Sequence, residues 1–314
     1  MTYTIFVDGQ EGTTGLQIHD YLSKISNIEV LTIEPEKRKD YEARKALINE
    51  ADLVFLCLPD SASREAVSML SNNKTKILDA STAFRTHPEW SYGLPELNKN
   101  QRSKIQHSSR VSVPGCHATG FILAIQPLIA EGVIPGDYPS TCYALTGYSG
   151  GGKKLIAEYQ NSNREQLFAP RPYALHLNHK HLPEMQLYSG LSSAPLFTPI
   201  VGNYYKGDAV CIPLFPRLFT KNVTAREVQE LLAAYYEDER FVRVIPYDSE
   251  AYLEEGYFNL MQCNDTNNVD IFVFGHNEQI LLVSRFDNLG KGASGAAIQN
   301  MNIMLGFDES TGLQ

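Results

Sequence analysis

The chain has 314 residues, 43% of them hydrophobic and 20% charged, which is enough for a full core and two domains of ordinary globular composition. A net charge of -9, a pI of about 5.4 and the lack of any basic stripe argue against a nucleic-acid partner. The five cysteines (Cys57, Cys116, Cys142, Cys211, Cys263) are widely spaced, which fits neither a disulfide framework nor a zinc site and points to a reducing compartment. With no signal pattern and no apolar run near the ~20 residues of a bilayer span, a cytoplasmic protein with no membrane partner is expected.

Thr4–Val7 reads as a strand, followed by Gly9, Gly12 and Gly15 in a GxxGxxG turn that opens a helix over Leu16–Leu22. With Thr13 and Thr14 between its last glycines, such a turn lets the backbone approach a pyrophosphate at a helix N-terminus. A glycine-rich turn without a ligand is the simpler alternative. The second strand, Ile28–Ile33, runs into Glu34, Glu36, Lys37, Arg38 and Lys39. An acid there would hold a ribose 2′-hydroxyl, whereas Lys37 or Arg38 would hold a 2′-phosphate, so these residues leave NAD and NADP open.

Helices over Tyr41–Ala51 and Ser61–Leu70 alternate with strands over Asp52–Leu58 and Lys76–Ala80. This grammar predicts an α/β fold beginning with a Rossmann-type, doubly wound parallel sheet. Ser81 and Arg85 leave the carboxyl end of a strand, where such sheets bind ligands. Ser81 is expected at the cofactor. Arg85 suits bidentate binding of a phosphate or carboxylate, or else a surface salt bridge.

The strand Arg110–Val113 ends at Pro114, and a small-residue helix start follows, which leaves Cys116 on the turn. A thiol there feels the partial positive charge of a helix N-terminus, which favours the nucleophilic thiolate. The helix continues over Phe121–Gly132, and a strand over Thr141–Leu145 leads to a second glycine-rich turn before a helix reaching about Gln166. Ser149, Gly150 and the next amides suit an anion nest. His179 and His181, with Glu184 three residues on, suit a general base with a carboxylate nearby. They also read as a metal pair, but no Cys or third His lies close, so no metal is expected. Strands over 198–201, 208–214, 242–244, 258–263, 269–275 and 279–286 predict a mainly antiparallel sheet in an α+β domain. One helix interrupts them, Thr224–Tyr236, opened by a Thr224/Glu227 capping box. Asp287 through Ala297 leads into a last helix through Leu305.

Six motifs in order resemble the short form of the N-acetyl-γ-glutamyl-phosphate reductase family. They are the GxxGxxG, Asp79–Arg85, Tyr92–Glu96, Pro114–Gly120, Gly147–Gly152 and His179–Glu184, with the Asp287–Asn302 tail behind them. Val113 before Pro-Gly-Cys supports the short form. The resemblance implies a cofactor domain over 1–116, a catalytic domain over 117–287 similar to those of glyceraldehyde-3-phosphate and aspartate-semialdehyde dehydrogenases, and a C-terminal helix over 288–314 that returns to the first domain. It implies NADP, with Lys37 and Arg38 at the extra phosphate, Asn288 beside the nicotinamide, and a homodimer or homotetramer. Cys116 would be the nucleophile of a thioester mechanism on a small-molecule acyl phosphate. His181 would be its acid/base in preference to His179. Arg85, Ser149 and Gly150 would hold phosphate or substrate carboxylate, and Glu184 would orient a histidine or contact substrate. Two alternatives are a sister reductase of aspartyl or aminoadipyl phosphate and a non-catalytic dinucleotide sensor.

Overall fold

Strand β1 (Tyr3–Asp8) buries Ile5 and Val7 on one side and Phe6 on the other, the period-2 pattern of a strand covered on both faces. The computed structural model describes residues 2–10, 12–161, 164–247 and 249–314. Glu11, within the expected glycine turn, and residues 162–163, within the helix expected to reach Gln166, lie outside the described residues. The chain forms two units, Met1–Pro114 with Ala293–Gln314, and Gly115–Gly292.

In the first unit β1, β2 (Ile28–Leu31), β3 (Leu53–Leu56), β4 (Lys76–Asp79), β5 (Ser91–Tyr92) and β6 (Arg110–Ser112) form a sheet of order β2-β1-β3-β4-β6-β5. Every pair in it is parallel. Helices α1 (Thr13–Leu22) and α9 (Gly295–Leu305) supply Ile18, Leu22, Ala297 and Ile298 to one face. Helices α2 (Tyr41–Glu50) and α3 (Asp60–Ser68) supply Ile48 and Ala66 to the other. The order reverses between β1 and β3, and the carboxyl ends of strands at such a reversal form the usual crevice for a dinucleotide. A short helix α4 (Gln101–Gln106), not anticipated from sequence, packs on α9.

In the second unit α5 (Cys116–Ala130) lies on a seven-stranded sheet of order β11-β12-β13-β10-β7-β9-β8. Its strands are β7 (Thr141–Gly147), β8 (Arg171–Pro172), β9 (Leu196–Gly202), β10 (Asp208–Leu214), β11 (Val242–Val244), β12 (Val269–His276) and β13 (Gln279–Phe286). Four pairs are antiparallel, whereas β7–β9 and β11–β12 are parallel, so the sheet is mixed with an antiparallel majority. Helices α6 (Gly152–Asn161) and α7 (Leu182–Ser189) lie in the β7-to-β9 crossover, and α8 (Ala225–Tyr235) packs on β12. The Thr224/Glu227 capping box is present.

One expected strand is corrected. Residues 258–259 are irregular and 260–263 form a turn, because the Asn259 side chain accepts the Met261 N–H in an Asx turn and Asp265 just beyond adopts a φ of 66°. The unit boundaries fall at 114/115 and 292/293, where the sequence suggested 116/117 and 287/288. Gly115 is bonded to Glu184, Asp287 to Asp265 and Gly292 to Asp287, which ties both junctions into the second unit.

At the end of β1 the buried Asp8 carboxylate accepts Nε and Nη2 of the buried Arg44 at 3.2 and 2.9 Å, and Nη1 reaches Glu65 at 2.9 Å. Burial raises the Asp8 pKa above its ordinary value, against the lowering effect of Arg44. Arg44→Met strands this carboxylate, and breaking such a pair costs about 3–5 kcal/mol. Urea unfolding should show that loss near neutral pH. The loss should shrink as pH falls through the raised Asp8 pKa, because a protonated carboxyl needs no cation.

Candidate active site

The nucleophile candidate sits where a short turn meets the most buried helix of the second unit. Gly115 caps α5 with no side-chain cap bond, and Cys116 is its first residue, half-buried. From His117 to Leu128 nearly every side chain of α5 is buried. The Gly115 N–H, one of the donors a helix N-terminus leaves open, is taken at 3.1 Å by the buried Glu184 carboxylate on α7. Glu184, expected to orient a histidine or touch substrate, therefore braces the backbone beside the sulfur. Gly292 closes another side, since a Cβ there would lie 2.8 Å from the Cys116 Cβ.

The histidines gather around the same helix end. His181, buried, stands 5.5 Å from His117 and 4.6 Å from His179 between ring centroids. The His181 backbone N–H donates to His179 Nδ1 at 3.2 Å. That makes Nδ1 an acceptor and assigns the His179 proton to Nε2. His117, which sequence reasoning passed over, is buried with Nδ1 3.0 Å from the Asp208 carboxylate and Nε2 3.2 Å from the Tyr173 hydroxyl. Burial, with the negative charges of Cys116 and Asp208, pushes the Tyr173 phenol pKa well up, so it stays protonated. The available signals were a polar residue directly after the thiol and an acid opening an otherwise apolar strand.

Ser149 and Asn288 meet, with the Asn288 amide donating to Ser149 Oγ at 3.0 Å. Asn288 Oδ1 accepts the Gly207 N–H at 2.8 Å, so this buried side chain ties the turn after β7 to the residue before Asp208. The expected anion nest is narrower than the sequence suggested. The amides of Tyr148, Ser149 and Gly152 bond to the carbonyls of Tyr204, Tyr205 and Ser149, so a nest here draws on Gly150 and Gly151.

The remaining candidates belong to the first unit. Arg85 is buried and donates through Nε to the Val113 carbonyl at 3.0 Å and through Nη2 to Ala80 at 3.3 Å; it is not the surface salt bridge of the simpler reading. Ser81 donates to the Asp79 carboxylate at 2.7 Å. Lys37 pairs with Glu34 at 2.8 Å, both exposed, and Arg38 follows on the same turn. The glycine turn fits a pyrophosphate. Gly9 has φ of 89° and its Cβ would lie 2.3 Å from the Cys57 carbonyl, while a Cβ on Gly15 would lie 2.6 Å from the Gly9 carbonyl. Gly12 caps α1 with no side-chain bond, and Thr13 Oγ1 is buried without a partner. Donors at that helix end, beside Thr14, suit an anion.

Residues 4–105 match the family described as semialdehyde dehydrogenase, NAD binding domain, and residues 116–288 match semialdehyde dehydrogenase, dimerisation domain. N-acetyl-γ-glutamyl-phosphate reductase 2 of Nostoc sp. is 47% identical, over 98% of this chain and 98% of the relative. Its namesake from Pseudomonas putida is 43% identical over 99% of each. The chain belongs to the N-acetyl-γ-glutamyl-phosphate reductase family. Among solved structures, aspartate semialdehyde dehydrogenase II of Vibrio cholerae, complexed with ASA, superposes with a TM-score of 0.71 at 14% identity, over 97% of this chain and 98% of that one. The enzyme of Candida albicans with NADP gives 0.64 at 14%, over 97% and 99%. At such identity the likeness concerns the fold. For this reductase-family chain the matches establish a dinucleotide cofactor and a small-molecule substrate.

The other four thiols are held in the protonated form by burial. Desolvation pushes Cys57 and Cys263 up to about 12, Cys211 up to about 11 and Cys142 further still. At pH 8 a thiol of pKa about 11 is roughly one part in a thousand thiolate, and the thiolate is the reactive form. Iodoacetamide on the native protein near pH 8, followed by peptide mass mapping, should therefore label Cys116 far ahead of the rest. Comparable labelling at Cys57 or Cys211 would contradict this.

Proposed function

We propose that the chain reduces N-acetyl-γ-glutamyl phosphate to N-acetylglutamate semialdehyde with NADPH, releasing inorganic phosphate, as a step of arginine synthesis in the cytoplasm. The observation that carries this reading is the thiol on the first turn of a buried helix with two further histidines against that helix end, in a chain 47% identical to a reductase of that name.

An acyl phosphate is an activated carbonyl. The Cys116 sulfur adds to the acyl carbon, the C–O bond to phosphate breaks, and a thioester remains on the protein. When bound, the reduced nicotinamide supplies the hydride that the thioester carbon accepts. His181 protonates the oxygen and takes the proton back as the C–S bond breaks, freeing the aldehyde and restoring the thiolate. His179 supports His181 by accepting the His181 backbone N–H at its Nδ1. Arg85, Ser149 and Gly150 are assigned to the substrate's phosphate or carboxylate, and Asn288 to the edge of the nicotinamide. Gly9, Gly12, Thr13, Thr14, Gly15 and Ser81 are assigned to the dinucleotide. Lys37 and Arg38 are assigned to the 2′-phosphate, because Glu34 is already compensated by Lys37. The match to a dimerisation domain supports a homodimer or homotetramer.

The decisive assay is phosphate-dependent oxidation of N-acetylglutamate semialdehyde with NADP and NAD in parallel, beside aspartate and aminoadipate semialdehydes. The sister semialdehydes differ by a methylene, worth about 1–3 kcal/mol in a pocket, and by a free ammonium where the substrate is acetylated, so both should react more slowly. Cys116→Ala should abolish turnover. His181→Asn should lower kcat by roughly 10²–10⁴-fold and His179→Asn by less. Without reductant, substrate should add one acyl group by mass at Cys116. Equal kcat for Cys116→Ala and wild type would end the reading.

A further inference from the structure

We propose that Cys116, His117 and Asp208 form a binding site for one zinc-class divalent cation, which reversibly silences the thiol. The Cys116 sulfur, a His117 ring nitrogen and an Asp208 carboxylate oxygen all lie within 4.8 Å of one another. Donors bonded to tetrahedral zinc at ~2.0–2.3 Å stand ~3.3–3.8 Å apart, so a shift of about half an ångström per donor closes the triangle.

Two features besides proximity point to a cation. His117 Nδ1 and both Asp208 oxygens are buried with no hydrogen-bond partner; the 3.0 Å approach of Nδ1 to Oδ2 is off the line of a hydrogen bond. A fully buried carboxylate without a donor is costly unless positive charge meets it. The far side of the imidazole is also prepared. Nε2 stands 3.2 Å from the Tyr173 hydroxyl, which held Nε2 as the donor would turn the Nδ1 lone pair toward Asp208 and Cys116. A second hydrogen bond of this kind is how metal-bound histidines are oriented. Thiolate, imidazole and carboxylate together select zinc-like ions over magnesium or calcium. Binding releases the thiol proton, so affinity rises with pH.

The silencing rests on Cys116 being the nucleophile proposed above; the binding does not, and the two are read separately. Full-length, metal-free protein is titrated with zinc by equilibrium dialysis and with cobalt by absorption, without substrate. One equivalent should bind, with a thiolate-to-cobalt charge-transfer band, and zinc should slow iodoacetamide labelling of Cys116 at least roughly tenfold. Cys116→Ser should remove the band, and His117→Gln and Asp208→Asn should each weaken binding by roughly 10–100-fold or more. Circular dichroism checks that each variant is folded. No band and no protection in the wild type overturns the site, as does a band that survives both His117→Gln and Asp208→Asn. Zinc bound at one equivalent with semialdehyde oxidation undiminished overturns the silencing; activity lost with zinc and restored by a chelator supports it.

Discussion

A helix with no face left for water governs the second unit. Between His117 and Leu128 helix α5 buries side chains all round, and at ~25 cal/mol per Å² of apolar surface each large one adds about 1.5–3 kcal/mol. Gly120 lets the helix press on the sheet, since a Cβ there would meet the Phe286 ring at 2.6 Å. Its polar backbone is answered within the packing, with Ser284 Oγ donating to the Gly120 carbonyl and Tyr236 Oη to that of Leu123. A rod held this way cannot slide or roll without opening a cavity. The sulfur at its first turn therefore inherits a fixed position from core residues that do no chemistry.

The same rigidity explains the polar groups gathered at that end. Glu184 meets the Gly115 N–H, and Asn288 bridges Gly207 and Ser149. These bonds place Asp208, at the start of β10, opposite His117 on α5. Two other buried carboxylates stand in close ion pairs: Asp270 with Arg285 in this unit, Asp8 with Arg44 in the other. Asp208 and His117 approach as closely but without such hydrogen bonds, beside the half-buried thiol. That difference separates a structural ion pair from a place where chemistry or a ligand completes the balance.

In the first unit the sequence pattern and the packing agree. Alternating burial along β1 needs two covered faces, helices α1 and α9 supply one and α2 and α3 the other, and the glycine turn falls where the strand order reverses. Gly9 and Gly15 act here by what they lack, because the backbone of the turn lies against the carbonyl of Cys57 and folds onto itself.

Local rules carried much of this from the residues alone. Periodicity marked nearly all the long elements, the glycine spacing marked the tight turn between β1 and α1, and Pro114-Gly115-Cys116 marked the thiol at a helix start, because each depends on neighbours within a few residues. Where local propensity misled, as at 258–263, turn-forming Asn and Asp side chains outweighed an apolar stretch. The parallel pairing of β7 with β9, the Glu184 brace on Gly115 and the meeting of His117 with Asp208 and Tyr173 join residues 55 to 91 positions apart. No short-range pattern encodes such contacts. They exist only once α5 and the sheet are packed, and so the shape of the candidate site belongs to the tertiary structure, while the thiol at its helix start was already legible in the chain.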